Sequence, residues 1–401
     1  MATIERAYGG THPWITFRLD LRQDPEFWAL LGEARSKIEH LRGVFLKPTS
    51  AERLYRLFLA KGVHATTAIE GNTLSEEEAL EVVEGRKLDL PPSREYLERE
   101  LENMVQAWNQ IEAAHLSGES ARLTPEVIHE YNGMVLAGLQ LEEGVVAGEV
   151  RQHSVGVGRY RGAPPEDCEF LLERLCQWLD GPEFEPPSPA WVWPYALIKA
   201  AIAHLYLAWI HPYGDGNGRT ARLVELQIVV SAGFPTPATH LLSNHYNRTR
   251  TEYYRQLQYA SESGGDAFPF VKYAVQGFVD GLREQLEIIL RQQFEDRWEQ
   301  FVYESFGEAR TQADMRRRQL VLDLSHQVEP VRKKDLRYVS PEIAQAYANK
   351  TTKTLTRDLN VLLDMDLIEL EPARGYRAKK SRILAFLPRS TDGYPLLSPT
   401  N

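Results

Sequence analysis

The chain has 401 residues and only two cysteines, Cys168 and Cys176. Two thiols cannot build a disulfide framework or a four-thiol zinc site. Their spacing suits a pair of reduced, buried thiols on one helix. No apolar run approaches the ~20 residues that a membrane helix requires. The first residues, "MATIERAYGGTHPW", have neither the basic start nor the apolar stretch of a secretory signal. A cytoplasmic location without membrane attachment is therefore expected. Internal repeats and low-complexity tracts are missing too. His12, His64, His153, His240 and His245 have no metal-ligand spacing.

What is present is the composition of globular domains, with 43% hydrophobic and 25% charged residues. The net charge of −10 conceals an asymmetry. Residues 310–388 carry 16 Lys+Arg against 10 Asp+Glu, a balance of +6, so the remainder is −16 (−10 − 6). A basic module attached to an acidic body points to an acidic or polyanionic partner for the C-terminal part.

Helical spacing of apolar residues covers 24–60 and continues to Ile69, where Gly71-Asn72 forms a stop signal. Ser75 and Glu78 have capping-box spacing. A helix is expected over about 94–116, and another begins at Thr124-Pro125. "EVRQHSVGVGRY" (149–160) breaks the helical rhythm and reads as a hairpin. Five prolines in 180–194 predict a loop. An apolar helix, "ALIKAAIAHLYLAWI", follows, and helices continue to about 305. From 310 the order of helices, "NKTTKTLTRDLNVLLDMDLIELE" and a basic hairpin is that of a winged helix-turn-helix. Residues 389–401 are expected to be a flexible tail.

The densest chemistry lies in "IHPYGDGNGRTAR", Ile210 to Arg222. Pro212 disfavours helical geometry at His211, so the apolar helix must end there with its imidazole at a corner. Glycines at 214, 216 and 218 allow the loop angles closed to other residues. Asn217 and Gly218 open a new helix, whose first amides and positive dipole end make an anion site. Arg219 and Arg222 share a face and can fork onto phosphate oxygens. Asp215, the lone acid, suits Mg²⁺ beside phosphates. No Gly-Lys-Ser/Thr follows, which excludes a Walker loop. Seven specified positions at one in twenty each recur by chance at ~10⁻⁹ per start site, so an ordinary glycine-rich connection is a poor explanation.

This segment resembles the signature of the Fic family, His-Pro-Phe-x-Asp/Glu-Gly-Asn-Gly-Arg-x-x-Arg, with Tyr213 in place of phenylalanine. "GEVRQHSVGVGRYRGAPP" resembles the family's flap hairpin, and "LLSNHYNRTRTEYYRQL" its segment after the core helices. The resemblance implies a mainly α fold. An N-terminal helical region (1–95) would precede a Fic core (96–300) with a small β-hairpin flap, followed by a winged helix-turn-helix (301–388). It also implies transfer of AMP from ATP to a Ser, Thr or Tyr hydroxyl of a protein, with His211 as general base. Gly216, Asn217 and Gly218 would form the anion hole, Arg219 and Arg222 would bind phosphates, and Asp215 would hold Mg²⁺. Val155, Gly156 and Val157 of the flap would clamp a target segment by strand addition. Automodification and a homodimer are further implications.

"TTAIEGN" (66–72) resembles the family's inhibitory motif, with Thr66, Glu70 and Gly71 in place. Glu70 ends a helix, where the dipole disfavours an anion by ~0.3–1 kcal/mol, so it benefits from a cation. The resemblance implies pairing with Arg222 and exclusion of the γ-phosphate. Removal of AMP, transfer of UMP, and a DNA-binding regulator with a nucleotide-sensing core are the alternatives. Lys350, Lys353 and Arg357 share a helical face, and Arg374, Arg377, Lys379 and Lys380 lie in the wing. Both sets could meet phosphates, whereas Asp364, Asp366, Glu369 and Glu371 oppose it. DNA and protein partners both remain open from sequence.

Overall fold

A computed structural model describes residues 6–118, 122–158, 160–308 and 311–384, with Val157 described by its backbone only. The expected tail at 389–401 lies outside the described residues. The fold is mostly helical, with two small antiparallel hairpins. The chain divides into two compact units, one of residues 1–44 and 48–286 and one of residues 45–47 and 287–401. The expected 95/96 boundary thus falls inside the first unit, and the 300/301 boundary inside the second.

The first unit opens with α1 (Tyr8–Thr11), α2 (Pro25–Arg42), α3 (Pro48–Ile69), α4 (Glu76–Val83) and α5 (Glu95–Leu116). Local chemistry sets these ends. Asp24 caps α2 through the Phe27 amide, and Gly71, at φ 101°, follows the end of α3. The Ser75–Glu78 box closes in both directions, with Glu78 N to Ser75 Oγ at 3.2 Å and Ser75 N to Glu78 Oε2 at 2.7 Å. Next come α6 (Pro125–Val135), capped by Thr124, and a hairpin of β1 (Gly156–Val157) and β2 (Tyr160–Arg161). Helices α7 (Pro165–Leu179), α8 (Val192–Ile210), α9 (Asn217–Ser231), α10 (Leu241–Arg248) and α11 (Arg250–Glu262) follow. Helix α12 (Phe268–Phe306) contains the division between units. The proline-rich stretch is not a plain loop. It forms two single 3₁₀ turns, Pro182–Phe184 and Pro189–Trp191, and the apolar helix begins at Val192. Proline at a first turn gives up an amide that has no helical partner anyway.

Helix α8 is apolar on every side and buried almost throughout, so it can only be the centre of its unit. Its closest partner is α9, equally buried, with α6 and α5 packed on α9 and α7 on α8. The two termini that flank the loop 211–216 are thereby held by the most densely packed part of the molecule. His204 of α8 is a core histidine, as its apolar setting suggests: Nε2 is 2.8 Å from Tyr253 Oη, and Nδ1 lies 3.2 Å from Glu225 Oε2.

Burial pushes the imidazole of His240 down to about 3, helped by the Lys61 charge. Its folded pKa is below the unfolded 6.5, so the unfolded chain binds more protons between these values. The stability tied to the neutral ring is complete above pH 6.5 and falls as the pH drops through that window. At pH 5 the loss is about 2 kcal/mol. Urea titrations at pH 7.5 and 5.0 should show His240→Gln losing about that much less than the parent protein; equal losses would refute the assignment.

The second unit contains α13 (Gln312–Ser325), α14 (Pro341–Tyr347), α15 (Thr352–Asp364), β3 (Ile368–Glu371) and β4 (Gly375–Ala378). Strands β3 and β4 pair in register from Ile368↔Ala378 to Glu371↔Gly375, and Val331 adds a single bridge to Tyr376. Leu320, Leu324, Ile343, Leu355, Leu359 and Leu362 meet in its core.

Candidate active site

The corner at the end of α8 is set by covalent constraints. His211 takes φ 50° and ψ 58°, donates its amide to Leu207 O at 2.9 Å, and precedes Pro212. A non-glycine residue in this region is uncommon and persists only where its surroundings hold it. The holder is Arg151, 3% exposed, which the sequence reading did not single out. Its Nε donates to His211 O (2.8 Å), Nη1 to His153 O (2.7 Å) and Nη2 to Ala163 O (2.5 Å). Its own amide donates to Pro212 O at 3.0 Å. One guanidinium therefore ties the base of the flap to the loop. Gly162 is required there, because a Cβ would lie 2.8 Å from both Arg151 Nη2 and His211 Cβ.

The loop beyond His211 is closed from within. Asn217 Oδ1 accepts from Tyr213 N (2.9 Å), and its Nδ2 donates to Tyr213 O (2.8 Å). The Asn217 side chain is thus spent inside the loop, leaving only its backbone amide to face an anion. Tyr213 is buried, with its hydroxyl 2.9 Å from His129 Nδ1. Asn132, fully buried, donates to Asp215 O (2.9 Å) and Thr220 Oγ1 (3.2 Å) and accepts from Gly148 N (2.9 Å). Gly216 takes φ 77° at the start of α9, where a Cβ would lie 3.0 Å from Asn132 Nδ2.

Three charged groups converge on the first turn of α9. Arg222, side chain 1% exposed, donates from Nε to Thr66 Oγ1 (2.6 Å) and from Nη2 to Thr66 O (2.9 Å) and Glu70 Oε1 (2.6 Å). Its Nη1 is buried without a partner among the described residues. That nitrogen would lie 3.1 Å from a Cβ on Gly218, and the same Cβ would collide with the Glu70 carboxylate. The carboxylate therefore occupies the ground where amides, dipole and guanidinium all favour an anion. Gly71 supplies the turn that ends α3 just behind it. Arg219 is bonded to Glu100 (2.9 Å) and lies 3.4 Å from Asp215 Oδ1, while its Nε is buried without a partner among the described residues. Glu100, some 119 positions away in sequence, has no motif that would have revealed it.

The electrostatics follow from this arrangement. Burial alone would raise the pKa of Glu70, but the Arg222 charge and hydrogen bond, with Arg219 and His211, bring it below 4.5. A third of its side chain stays accessible at the floor of a deep pocket. Burial lowers the His211 imidazole to about 4, with Arg151 adding to the drop and the Ala208 backbone, Glu70 and Asp215 opposing it. At neutral pH the ring is uncharged and carries a lone pair.

His211, Glu70 and Gly218 line one cavity of about 880 Å³, together with Tyr253, Tyr254 and Leu257 of α11. This is ample for a small-molecule ligand. The flap lies at the same cavity through Gly158, Tyr160 and Arg161. Gly156 pairs with Arg161, Val157 pairs with Tyr160, and Gly162 N donates to Val155 O at 3.1 Å. The segment before α2 was not anticipated here. His12 Nε2 lies 2.9 Å from Arg161 O, and Tyr8 N donates to Asp167 Oδ2 at 2.7 Å.

Among the described residues no group of three or more His, Cys, Asp or Glu could hold a metal. Asp215 nonetheless fits an ion shared with phosphates: its side chain is 55% exposed and only Oδ1 is engaged, by Gly216 N at 2.5 Å and by Arg219. Magnesium is commonly held by one or two carboxylates plus substrate phosphates and water.

Residues 122–229 match the model of the Fic/DOC family. The chain is 30% identical over 266 residues to protein adenylyltransferase fic-1 of Caenorhabditis elegans, covering 64% of this chain and 48% of that protein. It is 29% identical over 239 residues to protein adenylyltransferase Fic of Drosophila ananassae, covering 59% and 44%. The chain spans about half the length of the curated relatives it matches. Among solved structures, a Fic family protein from Desulfovibrio desulfuricans G20 has the same fold, with TM-score 0.55 and 21% identity over 90% of this chain and 98% of that one. Residues 134–508 of C. elegans Fic-1 give TM-score 0.52 and 25% identity over 66% and 73%.

Proposed function

Because residues 122–229 of this chain match the model of the Fic/DOC family, we propose that it transfers AMP from ATP to a hydroxyl of a protein and that Glu70 restrains the transfer. The observation that carries this reading is a neutral His211 beside an anion cradle that already holds a carboxylate. The His211 ring nitrogen not engaged with Ala208 takes the proton of a Ser, Thr or Tyr hydroxyl. The oxygen attacks the α-phosphorus, the bond from that phosphorus to the β-bridging oxygen breaks, and pyrophosphate leaves. The amides at the start of α9 and the orphaned donors of Arg219 and Arg222 take up the phosphate charge. Preorganised donors of this kind are commonly the largest catalytic contribution, ~3 kcal/mol for one donor. Mg²⁺, held by Asp215, would neutralise charge on the phosphates.

The flap offers Val155, Gly156 and Val157 as an edge on which an extended target segment adds as a strand. That places the acceptor hydroxyl near His211. Automodification uses the same chemistry on the chain's own hydroxyls. An ionised, partly accessible Glu70 on the cavity floor also suits a second reading, in which it orients a water that removes AMP.

Intact-mass measurement of the Glu70→Gly variant, and of a target lysate, after exposure to each nucleoside triphosphate tests the proposal. The expected product is an AMP adduct from ATP. A UMP adduct would reassign the donor. The absence of any adduct, with no ATP binding by calorimetry, would overturn the reading. Loss of AMP from a modified protein in the presence of wild type, but not of Glu70→Gly, would favour the second.

A further inference from the structure

We propose that residues 312–384 form a DNA-binding module that lays the exposed face of α15 in the major groove of a duplex. The inference is independent of the proposed transfer activity. The element order is helix, bridging strand, two helices and an antiparallel hairpin, with Val331 closing a third strand position against Tyr376. This is the winged helix-turn-helix arrangement, in which the third helix is the one offered to DNA. Four residues, 348–351, separate α14 from α15.

Helix α15 has two chemically distinct sides. Leu355, Leu359 and Leu362 are buried in the core. Lys353, Arg357 and Asn360 are exposed on the other side, with Lys350, Thr351 and Thr352 exposed at its start. Arg337 Nη2 donates to Lys350 O at 3.0 Å, which brings a further cation to that end. The one acid within this stretch, Asp358, is 1% exposed. It accepts from Arg316 (2.7 and 2.9 Å), Arg317 (2.8 Å) and Tyr347 (2.8 Å), so it adds no charge to the outer face. Asp364 is the last residue of α15, and Glu342 lies on α14.

Ion pairing in this unit is selective. Arg374 is paired with Glu329 and Glu371, Arg377 with Glu369, Lys379 with Asp366, and Lys380 with Glu295. These pairs make the wing a weaker source of phosphate contacts than α15 in the proposed complex. The wing's cations are paired, and so are three of the acids that oppose DNA, Asp366, Glu369 and Glu371, whereas Asp364 has no cation within 4.0 Å among the described residues. Lys333, Lys334, Lys350, Lys353 and Arg357 are exposed and have no carboxylate within 4.0 Å among the described residues. Unpaired positive charge thus predominates at α15 and the segment before α14, five cations against the exposed acids Asp364 and Glu342. A major groove ~12 Å wide admits a helix, and Arg, Lys, Asn and Thr are the side chains that meet phosphates and base edges there.

Fluorescence anisotropy of the full chain with a labelled mixed-sequence 30-base-pair duplex tests this across 25–200 mM salt. Three or four phosphate contacts predict that log K falls against log [salt] with a slope of about −3 to −4, at ~0.9 per contact. Lys353→Ala/Arg357→Ala should weaken binding at least tenfold and reduce that slope by about 2. His211→Ala should bind like the parent protein, and so should Arg374→Ala. The substituted residues are exposed, and circular dichroism checks that the variants fold. The proposal fails if the duplex does not bind at 25 mM salt, if the double variant binds unchanged, or if single-stranded RNA or an acidic peptide binds more tightly than the duplex.

Discussion

Replacing His211 with alanine in a Glu70→Gly background is expected to lower AMP transfer 10²–10⁴-fold, the range that general-base catalysis contributes. The setting of the imidazole suits this proposed task. Its αL backbone leaves it no helical freedom, Arg151 ties the carbonyl on one side of it, and burial with that nearby cation holds its pKa near 4. Uncharged, it accepts a proton without first losing one. Transfer rates should therefore be flat between pH 6 and 8 and decline only as the pH falls toward 4. Nucleotide affinity, which the proposal assigns to α9 and its arginines, should change little in His211→Ala. Measuring kcat and the calorimetric Kd for ATP separates the two. Equal loss of both would mean that the ring binds nucleotide and does not move the acceptor's proton.

Glu70→Gly alone should raise transfer about 10–100-fold. One guanidinium cannot serve both the Glu70 carboxylate and a γ-phosphate, and the Glu70 carboxylate also crowds Gly218. Hydrogen bonds to charged groups are worth ~1.5–3 kcal/mol, and 1.4 kcal/mol is a factor of ten. Glu70→Gln, which keeps the volume and removes the charge, should release the restraint only in part. The Arg222 charge holds the Glu70 pKa below its ordinary value, so the charge behind the proposed restraint persists at neutral pH and only acid removes it. The variant should also melt lower than the parent without ligand, because Arg222 loses its counter-charge, and gain more from added ATP. Label transfer from α-labelled ATP reads the rate, and a variant that binds ATP yet transfers no faster would remove Glu70 from the account. In an Arg222→Ala background Glu70→Gly should bring no gain, since the same guanidinium is then missing from both contests.

The loop 210–222 could be read in advance because its chemistry is local. Pro212 acts on the residue before it, glycines act on their own backbone angles, and Arg219 and Arg222 share a face through helical periodicity alone. The caps at Ser75 and Thr124 have the same origin, since each is a contact between residues three apart. The Glu70–Arg222 pair needed a family resemblance as well, because a glutamate at a helix end reads locally as a solvated one. Its partner is 152 positions away.

What packing alone decided is of a different kind. Arg151 in the flap stretch looked like one more surface cation, and only the folded chain turns it inward onto three carbonyls. Asn132 and Glu100 belong to helices whose patterns give no sign of the loop they hold. Asn217, a natural anion donor in sequence, spends its side chain on Tyr213. Cations of the wing meet acids both near, such as Glu371 for Arg374, and distant, such as Glu295 for Lys380, whereas Lys353 and Arg357 of α15 stay unpaired among the described residues. Residue order dictates backbone angles, helix ends and which side chains share a face, because those forces act within a turn of chain. The partner that each charged group finds is dictated by how the helices and hairpins pack, since an ion pair depends on distance through space.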